Sequence, residues 1–219
     1  MPVGGGPQAA GLSSPRRWAA ELLHVWFAVL APSDWFGPSP AIDAMLRRRF
    51  EREWHALRHR PAEEFLSDPG TALAAILLFD QIPRNLFRGS ARSFASDGLA
   101  RRIAREALRR GWDRRLGAGN HGEISSNVKR SRASQLGVGK PVKAWRQFMA
   151  MPLMHSERIA DQRRALAFYV ALGGPAVLAF ARGHHRMIAR FGRFAHRNEL
   201  LGRKTTAAER AALDAGFAW

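Results

Sequence analysis

Apolar residues recur at every third or fourth position over most of the chain, which is the spacing of one face of an α-helix. The stripe is clearest in the stretch 40–57, where it is formed by Ile42, Leu46, Phe50, Trp54 and Leu57. Arginine and glutamate occupy the positions between them, as on the solvent side of an amphipathic helix. No stretch alternates convincingly between apolar and polar residues in the manner of a β-strand. The pattern therefore predicts an all-α protein built from antiparallel helix pairs.

Capping residues mark where several of these helices begin. In Ser14-Pro15, Ser39-Pro40 and Asp68-Pro69, a residue favoured at the N-cap precedes a proline, which is favoured at the first helical position. Thr206 and Glu209 have the spacing of a capping box. The stretch 72–81 is apolar nearly all round, and the helix predicted there is expected to lie at the centre of the fold.

Two segments lack this periodicity. Residues 1–14 are rich in glycine, proline and alanine, and they are expected to be a disordered tail without the apolar core of a secretory signal. Residues 117–143 are rich in glycine and serine and carry five basic residues against one acidic residue, so they are expected to form a flexible basic insertion. The remainder of 15–219 is predicted to be a single all-helical domain.

Composition narrows the class of protein. The chain has 35 Lys and Arg against 18 Asp and Glu, a formal net charge of +17. This charge is spread along the helices, which favours solvated faces, with nucleic-acid binding as an alternative. The absence of cysteine excludes disulfides, thiolate metal sites and cysteine nucleophiles, and it fits a cytoplasmic protein. No apolar run approaches the ~20 residues of a membrane-spanning helix, so no membrane association is expected.

Asp80 is the first candidate for chemistry, because it lies on the same face of the central helix as Leu73 and Leu77. Arg84 follows one helical turn later and is its natural partner, provided that the backbone stays near-helical past Pro83, a residue expected to end or kink the helix. A buried carboxylate without a partner is costly. Asp80 and Arg84 therefore form either a buried brace or one wall of a ligand cleft.

A second polar group opens a helix further along the chain. His155 and Glu157 stand at its start, and Asp161 and Gln162 lie on its inward-facing arc. His155 and Glu157 are a candidate acid–base pair if they converge on one point. In the alternative interpretation, Ser156 caps the helix and the other polar residues join helices to one another.

The third polar group is the stretch 184–203. It begins as a helix that carries His184, and the helix is expected to break at Gly192. The residues that crowd together after the break are Arg193, His196, Arg197 and Asn198. Polar side chains this dense, between apolar anchors, indicate either a buried hydrogen-bond network or a ligand site. The chain has no H-E-x-x-H, G-x-S-x-G or glycine-rich phosphate loop, so no metal or cofactor is predicted.

The chain resembles the bacterial family known as domain of unknown function 924 in three blocks of sequence, FDQIPRNLFRGSARSFASDGLARRIA, MPLMHSERIADQ and HHRMIARFGRFAHRNELLGRKTTAAER. The resemblance runs from about Ala20 to Leu213, except for residues 117–143. It implies an all-helical fold similar to that of tetratricopeptide-repeat (TPR) proteins, and it implies no reaction.

The family's block residues correspond here to Asp80, Gln81, Pro83, Arg84, Asn85, His155, Ser156, Glu157, Asp161, Gln162, His184, Gly192, Arg193, His196, Arg197 and Asn198. These residues, apart from Pro83, Ser156 and Gly192, are the candidate ligand-binding residues. The chain departs from the family at Ala195, where proline is usual, at His24, where an acidic residue is usual, and in the added segment 117–143.

The leading hypothesis is a helical protein whose polar cleft binds a small anionic or carboxylate-bearing ligand, with arginines as charge-assisted donors. If it is an enzyme, the candidate acid–base residues are His155, Glu157 and His196. One alternative is an interaction module that presents a groove to a peptide, as helical-hairpin folds do. The other is a nucleic-acid-binding protein that uses its basic surface and the segment 117–143.

Overall fold

The computed structural model describes residues 17–115 and 140–216, and the regular elements in them are all helical. The α-helices are α1 Arg17–His24, α2 Pro40–Leu57, α3 Pro69–Ile76, α4 Ile82–Leu86, α5 Asp97–Arg109, α6 Trp112–Arg115, α7 Lys140–Met154, α8 Ile159–Leu172, α9 Pro175–Phe191 and α10 Ala207–Asp214. Single π-helical turns are formed by Val25–Val29 and Leu77–Gln81, and 3₁₀ turns by Pro32–Asp34, Ala62–Phe65, Ala91–Phe94 and Ala195–Arg197. The predicted all-α class is confirmed.

Three predictions fall partly or wholly outside the described residues. They are the tail at 1–14, the helix start at Ser14-Pro15, and most of the insertion at 117–143. The last four residues of that segment belong to the described part, and they begin α7 at Lys140. The TPR-like arrangement of the helices stays a prediction.

The capping predictions that fall on described residues are confirmed. The Ser39 hydroxyl accepts a hydrogen bond from the Ile42 amide at 3.4 Å, and an Asp68 carboxylate oxygen accepts one from the Thr71 amide at 2.8 Å. Thr206 and Glu209 form the expected capping box at the start of α10. Each cap satisfies backbone donors that the first turn of a helix leaves unpaired.

The core is organised around α3, in which every residue from Gly70 to Ile76 is buried. Helices α1 and α5 pack against α3, α7 packs against α5, and α8 lies between α7 and α9. Large aromatic side chains complete the interior, with Trp26, Trp54, Phe65 and Phe148 almost wholly buried. No helix within 17–115 or 140–216 is both long and apolar enough to cross a membrane.

Pro83 lies inside a continuous helical path made of α3, the π turn Leu77–Gln81 and α4. The backbone stays helical at Gln81 (φ −93°, ψ −48°) and Ile82 (φ −55°, ψ −45°). Because proline has no amide hydrogen, the carbonyl of Phe79 loses the usual bond from the residue four positions later. The buried Ser96 hydroxyl donates to that carbonyl at 2.7 Å. Pro83 thus interrupts the α-helical hydrogen bonding without ending the helical path, which keeps Asp80 and Arg84 one turn apart.

Ser96 also accepts a hydrogen bond from the indole nitrogen of Trp54 at 2.9 Å, so the substitution Ser96→Ala removes two buried hydrogen bonds. It is expected to lower the free energy of unfolding by about 1 to 3 kcal/mol, because a buried carbonyl and a buried N–H lose their partner. Urea denaturation measures this change. The exposed Ser33, replaced by alanine, is the control and is expected to change stability by less than about 0.5 kcal/mol. Equal stability of the two variants would contradict this role of Ser96.

Candidate functional site

The π turn directs the fully buried carboxylate of Asp80 toward the second polar group, where it meets His155, the residue after α7. His155 Nδ1 lies 2.8 Å and 3.0 Å from the two carboxylate oxygens. Arg84 Nη1 lies 3.4 Å from Asp80 Oδ1, and it also donates to the Asp80 backbone carbonyl. Burial alone would raise the pKa of Asp80, but the charge of Arg84 and the contact with His155 hold that pKa well below its usual range. Asp80 is therefore an anion in the folded protein.

Arg84 continues the network to a carboxylate that sequence reasoning missed, Asp97 in the first turn of α5. Arg84 Nη1 and Nη2 each lie 3.0 Å from one Asp97 oxygen, which is a bidentate pair. Arg197, from the third polar group, adds a weaker contact with Nη1 3.3 Å from Asp97 Oδ2. Burial acts to lower the pKa of Arg84, but the charges of Asp80 and Asp97 outweigh it and raise that pKa above its ordinary value. Asp80, Arg84, Asp97 and Arg197 thus form one chain of alternating charges.

Three histidines lie beside this chain. The rings of His155 and His184 are 6.0 Å apart, and Phe194 separates His184 from His196 at ring distances of 5.2 Å and 5.6 Å. Burial is the main cause that lowers the pKa of His155, that of His184 to about 3 and that of His196 to about 4. All three are therefore neutral near pH 7. We call the set Asp80, Arg84, Asp97, His155, His184, His196 and Arg197 the histidine–arginine cluster.

Arg197 has the least satisfied charge in the cluster. Its side chain is only 8% exposed, and its guanidinium carbon lies 4.5 Å from the Phe94 ring centre and 4.4 Å from the Phe194 ring centre. Burial, followed by the nearby charge of Arg84, lowers the pKa of Arg197 to about 10. Within the part of the chain that the structure describes, Arg197 Nε and His196 Nδ1 are buried without a hydrogen-bond partner. A buried guanidinium N–H without a partner is uncommon in folded proteins and calls for an acceptor.

Glu157, the proposed partner of His155, bonds instead to Arg203 and to the backbone of Phe194. Its carboxylate lies 2.8 Å and 3.0 Å from the two terminal nitrogens of Arg203, and it accepts a hydrogen bond from the Phe194 amide at 2.8 Å. Arg203 also donates to the Phe194 carbonyl at 3.0 Å. Burial would raise the pKa of Glu157, but these donors lower it on balance. Glu157 fixes the loop that carries Phe194.

Asp161 and Gln162 tie α8 to the turn after α7. The Ser156 hydroxyl donates to Asp161 Oδ2 at 3.0 Å, and Arg101 of α5 lies 3.3 Å from the same oxygen. Gln162 Nε2 donates to the carbonyls of Met154 at 2.6 Å and of Ser156 at 2.7 Å. These two side chains bond to this turn and to Arg101 rather than to the histidine–arginine cluster.

Arg193 and Asn198 are bound to Glu209 of α10. Arg193 Nε and Nη2 lie 2.6 Å and 2.9 Å from the two Glu209 oxygens, and Asn198 Nδ2 lies 3.3 Å from Glu209 Oε2. They hold the loop after α9 against α10. Gly192 ends α9 with φ at 70°, in the left-handed region that glycine adopts without strain, as the sequence indicated.

Gln81 and Asn85 support the π turn. Gln81 Nε2 donates to Asp80 Oδ2 at 2.5 Å, and Asn85 Nδ2 donates to the Gln81 carbonyl at 3.1 Å. The predicted site residues therefore separate into the histidine–arginine cluster and the groups that position the segments around it. No three His, Asp or Glu side chains within 17–115 and 140–216 are arranged to hold a metal ion.

No pattern in the sequence distinguished Asp97 from the other aspartates and glutamates of the chain. An aspartate in the first turn of a helix is favoured by the helix dipole alone, and Asp97 occupies that position in α5. Its role as the common partner of Arg84 and Arg197 follows only from the packing of α5 beside α4 and the loop after α9.

The chain is similar to known proteins over most of its length. Residues 22–216 match the family described as bacterial protein of unknown function (DUF924). A solved structure of a protein of unknown function from Agrobacterium tumefaciens is 34% identical in sequence and has a TM-score of 0.74, with the alignment covering 93% of this chain and 100% of that one. No curated protein matches the chain.

Proposed function

This chain belongs to the DUF924 family of bacterial proteins, and we propose that it binds a small carboxylate- or phosphate-bearing anion at the histidine–arginine cluster. The observation that carries the proposal is Arg197, a buried guanidinium whose Nε has no hydrogen-bond partner among the described residues, next in sequence to His196, whose Nδ1 has none there either. An oxyanion supplies an acceptor to the Arg197 N–H and a negative charge to the guanidinium.

The charges around Arg197 support an anion rather than a neutral ligand. Arg84 takes both oxygens of Asp97 at 3.0 Å, whereas Arg197 reaches only one of them at 3.3 Å. Arg197 is therefore less well paired than Arg84 and lies in a poorly solvated place, so a bound anion would stabilise its charge. The flanking rings of Phe94 and Phe194 hold the guanidinium plane in position.

The neighbouring pair of Asp80 and His155 supports proton transfer as the chemistry that accompanies anion binding. The ionised Asp80 accepts a hydrogen bond from His155 Nδ1, which leaves Nε2 as the basic nitrogen of a neutral imidazole. Because Asp80 is fully buried and also paired with Arg84, it fixes the ring and its tautomer. His155 is thus the acid–base candidate that this geometry favours, ahead of Glu157 and His196. The peptide-binding alternative stays a prediction.

The first test is a thermal-denaturation screen with inorganic phosphate, acetate, succinate and citrate. An anion present at about 100 times its dissociation constant adds about 2.7 kcal/mol to the free energy of unfolding, so a true ligand gives a clear rise in Tm. A flat response to all four anions would contradict the proposal.

The second test is the substitution Arg197→Met, which keeps the length of the side chain and removes its charge. We expect the free protein to unfold at the same or a higher temperature, because a poorly paired buried charge is lost, while the response to the anion disappears. Arg48→Met is the matched control, since Arg48 is exposed on α2, and it should respond to the anion like the unmodified protein. A large loss of stability in Arg197→Met without any anion would make Arg197 a structural residue.

A further inference from the structure

A groove of about 830 Å³ lies between α5, α6, α7 and α8, and none of the residues that line it belongs to the histidine–arginine cluster. Its volume is within the range of about 300 to 1,000 Å³ that is usual for small-molecule sites. Seven arginines line it against two acidic residues, Glu106 and Asp113. The groove is therefore a strongly basic concavity, separate from that cluster.

Helix α5 supplies four of these arginines from one face. Arg101, Arg102, Arg105 and Arg109 line the groove, whereas the apolar residues of the same helix, such as Ile103, are buried in the core. In the sequence this pattern resembles an ordinary solvated helix face. Only the packing of α7 against α5, and of α8 against α7, converts that face into the wall of a groove.

The acids of the groove do not neutralise all of its arginines. Arg101 and Arg105 share Asp161 at 3.3 Å and 3.7 Å, and Arg146 pairs with Asp113 at 3.2 Å. Arg109 is bound to Glu106 at 2.7 Å.

The other three arginines of the groove are Arg102, Arg114 and Arg164. They make no hydrogen bond or salt bridge with any residue that the structure describes, and all three are exposed. In sequence, the segment 116–139 carries Glu123 as its only acid, against one lysine and two arginines, so it adds no net negative charge to the chain. These three guanidiniums are therefore available to an anion that enters the groove.

The floor of the groove is apolar and aromatic. Leu108, Leu153 and Phe168 line it, and the guanidinium carbon of Arg146 lies 5.7 Å from the centre of the Phe168 ring. Within the described residues, Arg146 Nε is buried without a hydrogen-bond partner. The groove therefore offers an aromatic surface and an unpaired donor below a positively charged rim.

We propose that this groove binds a nucleoside polyphosphate, with the phosphates on the rim and the base against Phe168. Several guanidiniums with free donors suit a chain of phosphates, whose oxygens accept paired hydrogen bonds from arginine. The Phe168 ring and the two leucines give the base an apolar contact that a bare phosphate chain does not use. The volume of the groove suits one nucleotide rather than an extended nucleic acid.

Isothermal titration calorimetry at low ionic strength tests this with three probes: ATP without metal, inorganic tripolyphosphate, and a single-stranded oligonucleotide. ATP is expected to bind at one site and more tightly than tripolyphosphate. The double variant Arg102→Gln with Arg164→Gln is expected to weaken ATP binding about tenfold or more, and Phe168→Leu to weaken ATP but not tripolyphosphate.

The matched control is Arg48→Gln with Arg52→Gln, which removes two exposed arginines of α2 and therefore the same net charge. It should bind ATP like the unmodified protein. An equal loss in both double variants would mean attraction to overall charge and would overturn the proposal. An oligonucleotide that binds more tightly than ATP and is not displaced by it, or no binding of ATP, would overturn it as well.

Equal binding of ATP and tripolyphosphate that is insensitive to Phe168→Leu would overturn the assignment of the base to the aromatic floor. None of the residues that line the groove belongs to the histidine–arginine cluster. A flat thermal response to the four small anions, together with ATP binding that Arg102→Gln with Arg164→Gln weakens, would overturn the cluster proposal and support this one.

Discussion

The substitution Asp80→Asn is expected to lower the free energy of unfolding by about 3 kcal/mol, the lower end of the range for removing one partner of a buried ion pair. The Asp80 side chain is 0% exposed and contacts both Arg84 and His155, so the amide leaves a partly buried guanidinium with less compensation. Arg84 keeps its bidentate pair with Asp97, which is why the loss is expected at the lower end. Chemical denaturation monitored by tryptophan fluorescence measures the change.

Asp43→Asn is the matched control. Asp43 pairs with Arg88 at 2.6 Å, but the Arg88 side chain is 41% exposed, and surface pairs contribute only about 0 to 1 kcal/mol. A double-mutant cycle of Asp80→Asn with His155→Gln should give a coupling energy of at least about 0.5 kcal/mol, since the two side chains are in direct contact. If Asp80→Asn is no more harmful than Asp43→Asn, the buried pair does not brace the fold.

Acidification is expected to destabilise the protein between about pH 6.5 and pH 5. Burial lowers the pKa of His184 to about 3 and that of His196 to about 4, from 6.5. The unfolded chain therefore binds more protons than the folded protein in this interval, so the free energy of unfolding falls as the pH falls.

Each fully buried histidine contributes at most about 1.4 kcal/mol per pH unit to this dependence. With allowance for the partial exposure of His196, we expect His184 and His196 together to lower the free energy of unfolding by about 3 kcal/mol over this pH interval. Asp80 acts in the same direction only below its unfolded pKa of about 4, because its pKa is depressed in the fold. Urea denaturation at a series of pH values measures the slope.

The double variant His184→Gln with His196→Gln should have a smaller slope than the unmodified protein in the same interval. His59→Gln is the control, because His59 is exposed, and it should keep the original slope. A slope that is identical in all three proteins would assign the pH dependence to other groups.

Local spacing allowed part of the site to be predicted. Asp80 and Arg84 are four residues apart on a helical path, and this separation alone brings their side chains into contact once the backbone is helical. The three polar blocks do not all serve one site, however. His184, His196 and Arg197 meet around Phe194, and His155 lies beside His184. Arg193 and Asn198, from the same block as Arg197, bond instead to Glu209. One residue of sequence separation is enough to turn neighbouring side chains toward different partners.

The helical class, the helix starts at Ser39, Asp68 and Thr206, and the pair of Asp80 with Arg84 follow from local sequence, because caps and one-turn contacts depend on residues a few positions apart. The link that Asp97 makes between Arg84 and Arg197, and the groove along the arginine face of α5, arise from the packing of the chain. Those arrangements depend on how distant helices pack against one another. Charged residues follow the same sequence pattern on a solvated helix face as in a binding site. The role of an arginine or an aspartate therefore depends on the partners that packing brings to it.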